Sequence, residues 1–121
     1  MMLSTDNAVL VLIDVQEKLT SVMHDRDALV ENLVKLVKGA LLLGIPIIRF
    51  EQNPEKMGKT ISELDALLHD APPITKMSFG CCGVDGFVDD LFAMRRKQVL
   101  IAGIETHVCV YQTAVELIRG G

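Results

Sequence analysis

Three residues in this 121-residue chain carry side chains that together could run nucleophilic chemistry: Asp14, Lys76 and Cys109. Cys109 follows the apolar run Gln98–Ala102 and opens an amphipathic segment that reaches Arg119. That places it at the start of a helix just past a strand. Unpaired N–H groups and the helix dipole favour negative charge there, so the thiol is expected to ionise. Asp14 directly follows the run Ala8–Ile13, where α/β folds place ligands beyond the carboxyl ends of strands. Lys76 closes a short run ending at Thr75. Each residue also has a plainer reading: Asp14 as the cap of a turn, Lys76 as a surface cation, Cys109 as a small buried hydrophobe. Taken together, a thiolate, a carboxylate that moves protons and a cation that stabilises negative charge form a nucleophilic triad.

The elements that must position these residues follow from the apolar pattern. Ala8–Ile13 is a continuous β-branched and aliphatic run, as expected of a strand buried on both faces. Asp27–Leu43 has helical spacing at Leu29, Leu33, Leu36, Val37 and Ala40, and Gly44 ends it. Pro46–Phe50 reads as a second strand, and Glu51–Lys59 as a polar loop. Thr60-Ile61-Ser62-Glu63 reads as a capping box opening a helix with Ile61, Leu64 and Leu68 on its inner face. Ile74–Met77 reads as a short strand, Gly80–Gly86 as a loop, Phe87–Lys97 as a helix, Gln98–Ala102 as a strand and Val108–Arg119 as a final helix. Strands alternating with helices imply a parallel sheet covered on both faces. If Ala8–Ile13 lies between the second strand and Gln98–Ala102, the strand order reverses beside it. That crevice would hold Asp14 and Cys109 across from each other.

Bulk properties bound the rest. The length suggests one domain, residues 1–121. Half of the residues are hydrophobic, with only four Phe and one Tyr, so the core is aliphatic. A net charge of −4 with no basic cluster argues against a nucleic-acid partner. Arg95-Arg96-Lys97 reads as a helix end, where cations complement the dipole. Asn7–Ile13 is too short for a signal peptide and no run reaches a membrane span. Three cysteines, two of them adjacent at Cys81-Cys82, make no disulfide framework and point to the reducing cytoplasm. His24, His69 and His107 are scattered, without metal-ligand spacing, so no metal is expected.

Two near-misses carry little. Asn53–Thr60 resembles a phosphate-binding loop between a strand and a helix. However, Asn53 replaces the first glycine, Pro54 removes a donor and Glu55 adds negative charge where phosphate would sit. Gly80–Gly86 does not have the spacing of a dinucleotide fingerprint. No cofactor is expected.

The segments Val11–Gln16, Thr75–Phe79 and Val99–Val110, with Arg49–Gln52 after the second strand, resemble the isochorismatase-like (cysteine hydrolase) superfamily. The similarity is nearest to its small isochorismatase domain-containing branch, and it covers nearly the whole chain. The resemblance implies a Rossmann-like three-layer α/β/α fold and an Asp14-Lys76-Cys109 triad. Asp14 would be the general base or acid, Lys76 the orienting and stabilising cation and Cys109 the nucleophile. It also implies a cis peptide at Ile104–Glu105, with the N–H groups of Glu105 and Cys109 as the oxyanion hole. Gln16, Gln52 and Phe79 would line the substrate pocket. Glu51–Glu55 contains no His, unlike the metal cluster of nicotinamidases. Family members continue through two further strand–helix units, which this sequence lacks. It is therefore either a fragment or covered at its sheet edge by another chain. The implied activity is hydrolysis of a small amide-like C–N bond by a homo-oligomeric protein, with no membrane partner. A vinyl-ether hydrolase and a non-catalytic binding member of the family are the alternatives.

Overall fold

A computed structural model describes residues 2–120, the side chains of Thr106 and His107 excepted. Four strands form one parallel sheet in the order β3-β2-β1-β4. They are β1 (Ala8–Ile13), β2 (Ile47–Gln52), β3 (Ile74–Lys76) and β4 (Gln98–Gly103). The order reverses between β2 and β4 on either side of β1, and the crevice lies at the carboxyl ends there.

Helices cover both faces, giving three layers. Alternation along β1 sends Val9, Val11 and Ile13 to one side, where they pack with Phe50, Cys81, Phe87, Leu91 and Cys109. That side is covered by α5 (Phe87–Ala93) and α6 (Tyr111–Arg119). Phe50 and Phe87 meet edge to face with centroids 4.8 Å apart. Leu12 points the other way, against α2 (Arg26–Leu42) and α4 (Ser62–Asp65), with Val30, Leu33, Val37, Leu64 and Leu68. β1, with a strand on each side and helices on both faces, is almost wholly buried, as its unbroken apolar run requires.

Several boundaries differ from expectation. The one-turn helix α3 (Pro54–Met57) lies in the stretch read as a polar loop, and α1 (Glu17–Ser21) lies in a stretch to which the sequence pattern assigns no element. The Thr60–Glu63 capping box does not form: α4 has no side-chain cap. Thr60 instead donates both its N–H and its hydroxyl to buried Glu51, at 2.8 Å each. α5 stops at Ala93, so Arg95 lies in a turn and Arg96-Lys97 in the connection that leads into β4. There the Arg96 guanidinium donates to the carbonyls of Thr5 and Ala8. Gly120 caps α6, and Gly121 lies outside the described residues.

Candidate active site

Asp14 closes β1 in a left-handed conformation, φ +57°, that few non-glycine residues adopt and that concentrates at functional positions. The turn ends the β1 ladder and sets the carboxylate above the sheet. β3 brings Lys76 in from the far side of β2. The Nζ atom lies 2.9 Å from Asp14 Oδ2, and both side chains are sealed from solvent. The ammonium also donates to Gln52 Oε1 at 2.6 Å and to the carbonyls of Phe79 and Ser78 at 3.0 and 3.1 Å. Its fifth neighbour is Cys109 Sγ at 3.5 Å. The structure therefore brings Asp14, Lys76 and Cys109 into one buried cluster.

Cys109 does not sit at an α-helix start. A π-turn, Thr106–Val110, precedes α6, and the Glu105 carbonyl accepts the N–H groups of Val108 and Val110. Gly103 permits this close packing: a Cβ there would lie 2.9 Å from the Ile13 carbonyl and 2.7 Å from the Val110 side chain. The thiol is not ionised, contrary to expectation. Burial pushes its pKa up to about 12, the Asp14 carboxylate adds to the rise, and Lys76 only partly offsets it. Desolvation and the Asp14 carboxylate here outweigh the nearby cation. The Ile104–Glu105 peptide is also not cis; no cis bond occurs among the described residues. The trans form is the ordinary state of a non-proline bond.

The three residues expected to line the pocket fall in different places. Phe79 contributes its carbonyl to Lys76 while its ring is exposed. Gln52 holds Lys76 directly. Gln16 is fully buried, and its amide is committed to the backbone of Gln52 and Gly58. Sequence reasoning missed Glu51, which reads as the start of a polar loop but lies buried inside β2. Its carboxylate pins Thr60 and with it the end of the Asn53–Thr60 loop. That bond occupies the hydroxyl that a phosphate-binding loop would offer to a metal. Among the described residues, no group of three or more His, Cys, Asp or Glu could hold a metal ion. Among the described residues, no helix is long and apolar enough to cross a membrane.

A doubly wound parallel α/β domain with an acid, a cation and a thiol gathered at its switch point is the class that fold and cluster define. Residues 8–121 match the model of the isochorismatase domain, and the chain belongs to that family. It is 35% identical over 120 residues to isochorismatase domain-containing protein 2 of Danio rerio, covering 98% of this chain and 59% of that one. Among solved structures it is similar to the MAR1 ribonuclease of Caenorhabditis elegans. There the TM-score is 0.91 and the identity 31%, over 100% of this chain and 62% of that one. It is also similar to the Escherichia coli YcaC gene product, described as an octameric hydrolase of unknown specificity. The TM-score there is 0.88 and the identity 30%, over 98% of this chain and 60% of that one. The chain thus spans under two thirds of the length of these relatives.

Proposed function

We propose that this chain carries a cysteine hydrolase site for a small amide-like C–N bond. The observation that carries the reading is the placement of Lys76 Nζ 2.9 Å from Asp14 Oδ2 and 3.5 Å from Cys109 Sγ. A thiol with its pKa near 12 is neutral at rest. Its proton must therefore pass to Asp14 as sulfur attacks the carbonyl carbon. Among the described residues Asp14 Oδ1 has no donor, so it is open to that proton. The N–H groups of Glu105 and Cys109 hold the oxyanion, each worth about 3–4 kcal/mol. The amine leaves with the proton from Asp14. Water, deprotonated by Asp14, then cleaves the thioester to release the acid and restore the thiol. Lys76 keeps the carboxylate oriented and offsets its charge through the cycle.

The test is release of ammonia or amine from a panel of small amides by wild type and Cys109→Ala. Turnover by wild type alone, with a thioester adduct at Cys109 by mass spectrometry, supports the reading. Equal turnover by both proteins overturns it. Isochorismate and RNA complete the panel, since a vinyl-ether hydrolase or a ribonuclease would act there instead.

On the same reading the protein is a cytoplasmic homo-oligomer. Its three cysteines are unpaired, and its E. coli relative is described as octameric. Light scattering that returns the monomer mass would remove the oligomer.

A further inference from the structure

β1 and β2 are paired up to Ile13 and Phe50. The positive φ of Asp14 then turns β1 away, yet β2 continues for two more residues. The next rung on that side should be open at Gln52. It is closed by a side chain. The Gln16 amide accepts from the Gln52 N–H at 2.7 Å and donates to the Gln52 carbonyl at 2.9 Å. Its second N–H goes to the Gly58 carbonyl at 2.7 Å. The primary amide thus replaces the missing peptide of β1 for one rung of the ladder. On the opposite edge Gln52 pairs with Lys76, and the Asn53 N–H bonds the Lys76 carbonyl. The residue that Gln16 fixes sends its own amide to Lys76 Nζ at 2.6 Å, the shortest of the five contacts around the ammonium. Its Nε2 donates to the Met77 carbonyl at 3.2 Å.

We infer that Gln16 and Gln52 are positioning residues: Gln16 fixes Gln52 through its backbone, and Gln52 fixes the ammonium between the carboxylate and the thiol. An ammonium has three protons, and among the described residues it has five acceptor neighbours. Its location is therefore set by how the shell shares it. The 3.5 Å sulfur contact is the longest, so it is the first to lapse when the shell loosens. Both N–H groups of the Gln16 amide are taken and the side chain is fully buried, so it is not placed to contact a ligand. This assignment rests on the hydrolase reading only for its kinetic arm.

The experiment uses Gln16→Leu, Gln52→Leu and Gln52→Glu, the last retaining an acceptor for Lys76. Acrylamide modification of Cys109 at pH 9 is followed by peptide mass spectrometry, with Cys82 of the same molecule as the internal standard. Among the described residues, the charged groups facing the thiol are Asp14, just past β1, and Lys76, at the end of β3. Both Leu variants are expected to slow Cys109 modification about 3-fold, corresponding to half a pKa unit. Gln52→Glu is expected to restore the rate. A merely structural loosening would speed modification by exposing the thiol, so a faster or unchanged rate overturns the inference. Gln52→Leu, at a half-buried position, keeps the test usable if Gln16→Leu does not fold. Where an amide is turned over, kcat should fall about 10- to 100-fold with KM within about 2-fold. A raised KM with kcat intact would instead make these residues substrate contacts. Labelling reads Lys76 placement without turnover, so loss of the hydrolase reading alone leaves this test standing.

Discussion

β1 and β4 are adjacent strands of equal length, paired in register from Ala8–Gln98 to Ile13–Gly103. Each ends in a candidate site residue or the turn that leads to one. Yet no residue of β1 is more than 1% exposed, while every residue of β4 is only partly buried. The difference is one of neighbours. β1 has a strand on either side and β4 has one, so the outer side of β4 opens into a groove of about 1260 Å³ between α5 and α6. Val88, Leu91, Val99, Ile101 and Leu117 line that groove. Apolar content does not by itself make a buried strand; coverage on each side does. The candidate site joins the two regimes, with its acid from the sealed strand and its thiol from the turn after the open one.

That junction gives the largest expected effect. Cys109→Ala should lower amide turnover by about 1,000-fold or more, with only a small cavity cost of about 1 kcal/mol in urea denaturation, because the side chain lost is small. A variant that kept most of its turnover would detach the turn after β4 from the chemistry.

Lys76→Met comes next. It removes the cation from a pair whose side chains are 0% and 1% exposed, leaving the Asp14 carboxylate alone in the interior. The expected cost is about 3–5 kcal/mol in urea denaturation. Lys76→Met with Asp14→Asn should recover much of it, since no isolated charge remains. No recovery in the double variant would mean that packing of the lysine stem, and not the charge, sets the stability.

The core comparison itself predicts a third, smaller difference. Leu12→Ala on β1 should cost about 3 kcal/mol, because the cavity lies between a full sheet and α2. Leu100→Ala, on the neighbouring strand and the same face, should cost about 1 kcal/mol, because its site is already partly wet. Equal costs would show that the open side of β4 is covered in solution.

The sheet was legible because its signals are strong and local. AVLVLI admits little but a strand buried on both faces, and the strand-end positions of Asp14, Lys76 and Cys109 follow from the alternation of elements. Less legible were features decided by contacts distant in sequence. Thr60 looks like a helix cap, but a buried Glu51 carboxylate nine residues away claims both of its donors. Gln16 and Gln52 look like pocket residues because they sit at strand ends. Nothing local reveals that a side-chain amide will stand in for a peptide of β1. Glu17–Ser21 and Pro54–Met57 are shorter than two helical turns, too short for an apolar period to register. The ionised thiol was expected from chain position, and burial beside Asp14 reverses it.

That reversal yields the smallest expected effect, at alkaline pH. Burial raises the pKa of Cys81 and of Cys109 to about 12 each, from an ordinary value of 9.0. Both thiols belong to the cluster that β1 packs against. Cys82, half-buried beside the groove, is also pushed up by burial. A thiol whose folded pKa exceeds its unfolded pKa adds stability that is complete below pH 9 and is lost as pH rises from 9 towards 12. The unfolded chain releases its protons first, so the equilibrium shifts towards unfolding. The urea midpoint should therefore fall between pH 8.5 and 10.5, a range chosen to straddle the unfolded thiol pKa. The fall should be shallower in Cys81→Ala and in Cys109→Ala than in wild type, and shallowest in the double variant. Comparing slopes separates the titration from the constant cost of the cavity each substitution leaves. A wild-type slope retained in the double variant would assign the alkaline loss to groups away from the β1 face, and would leave the two thiols no more shielded than the groove-side Cys82.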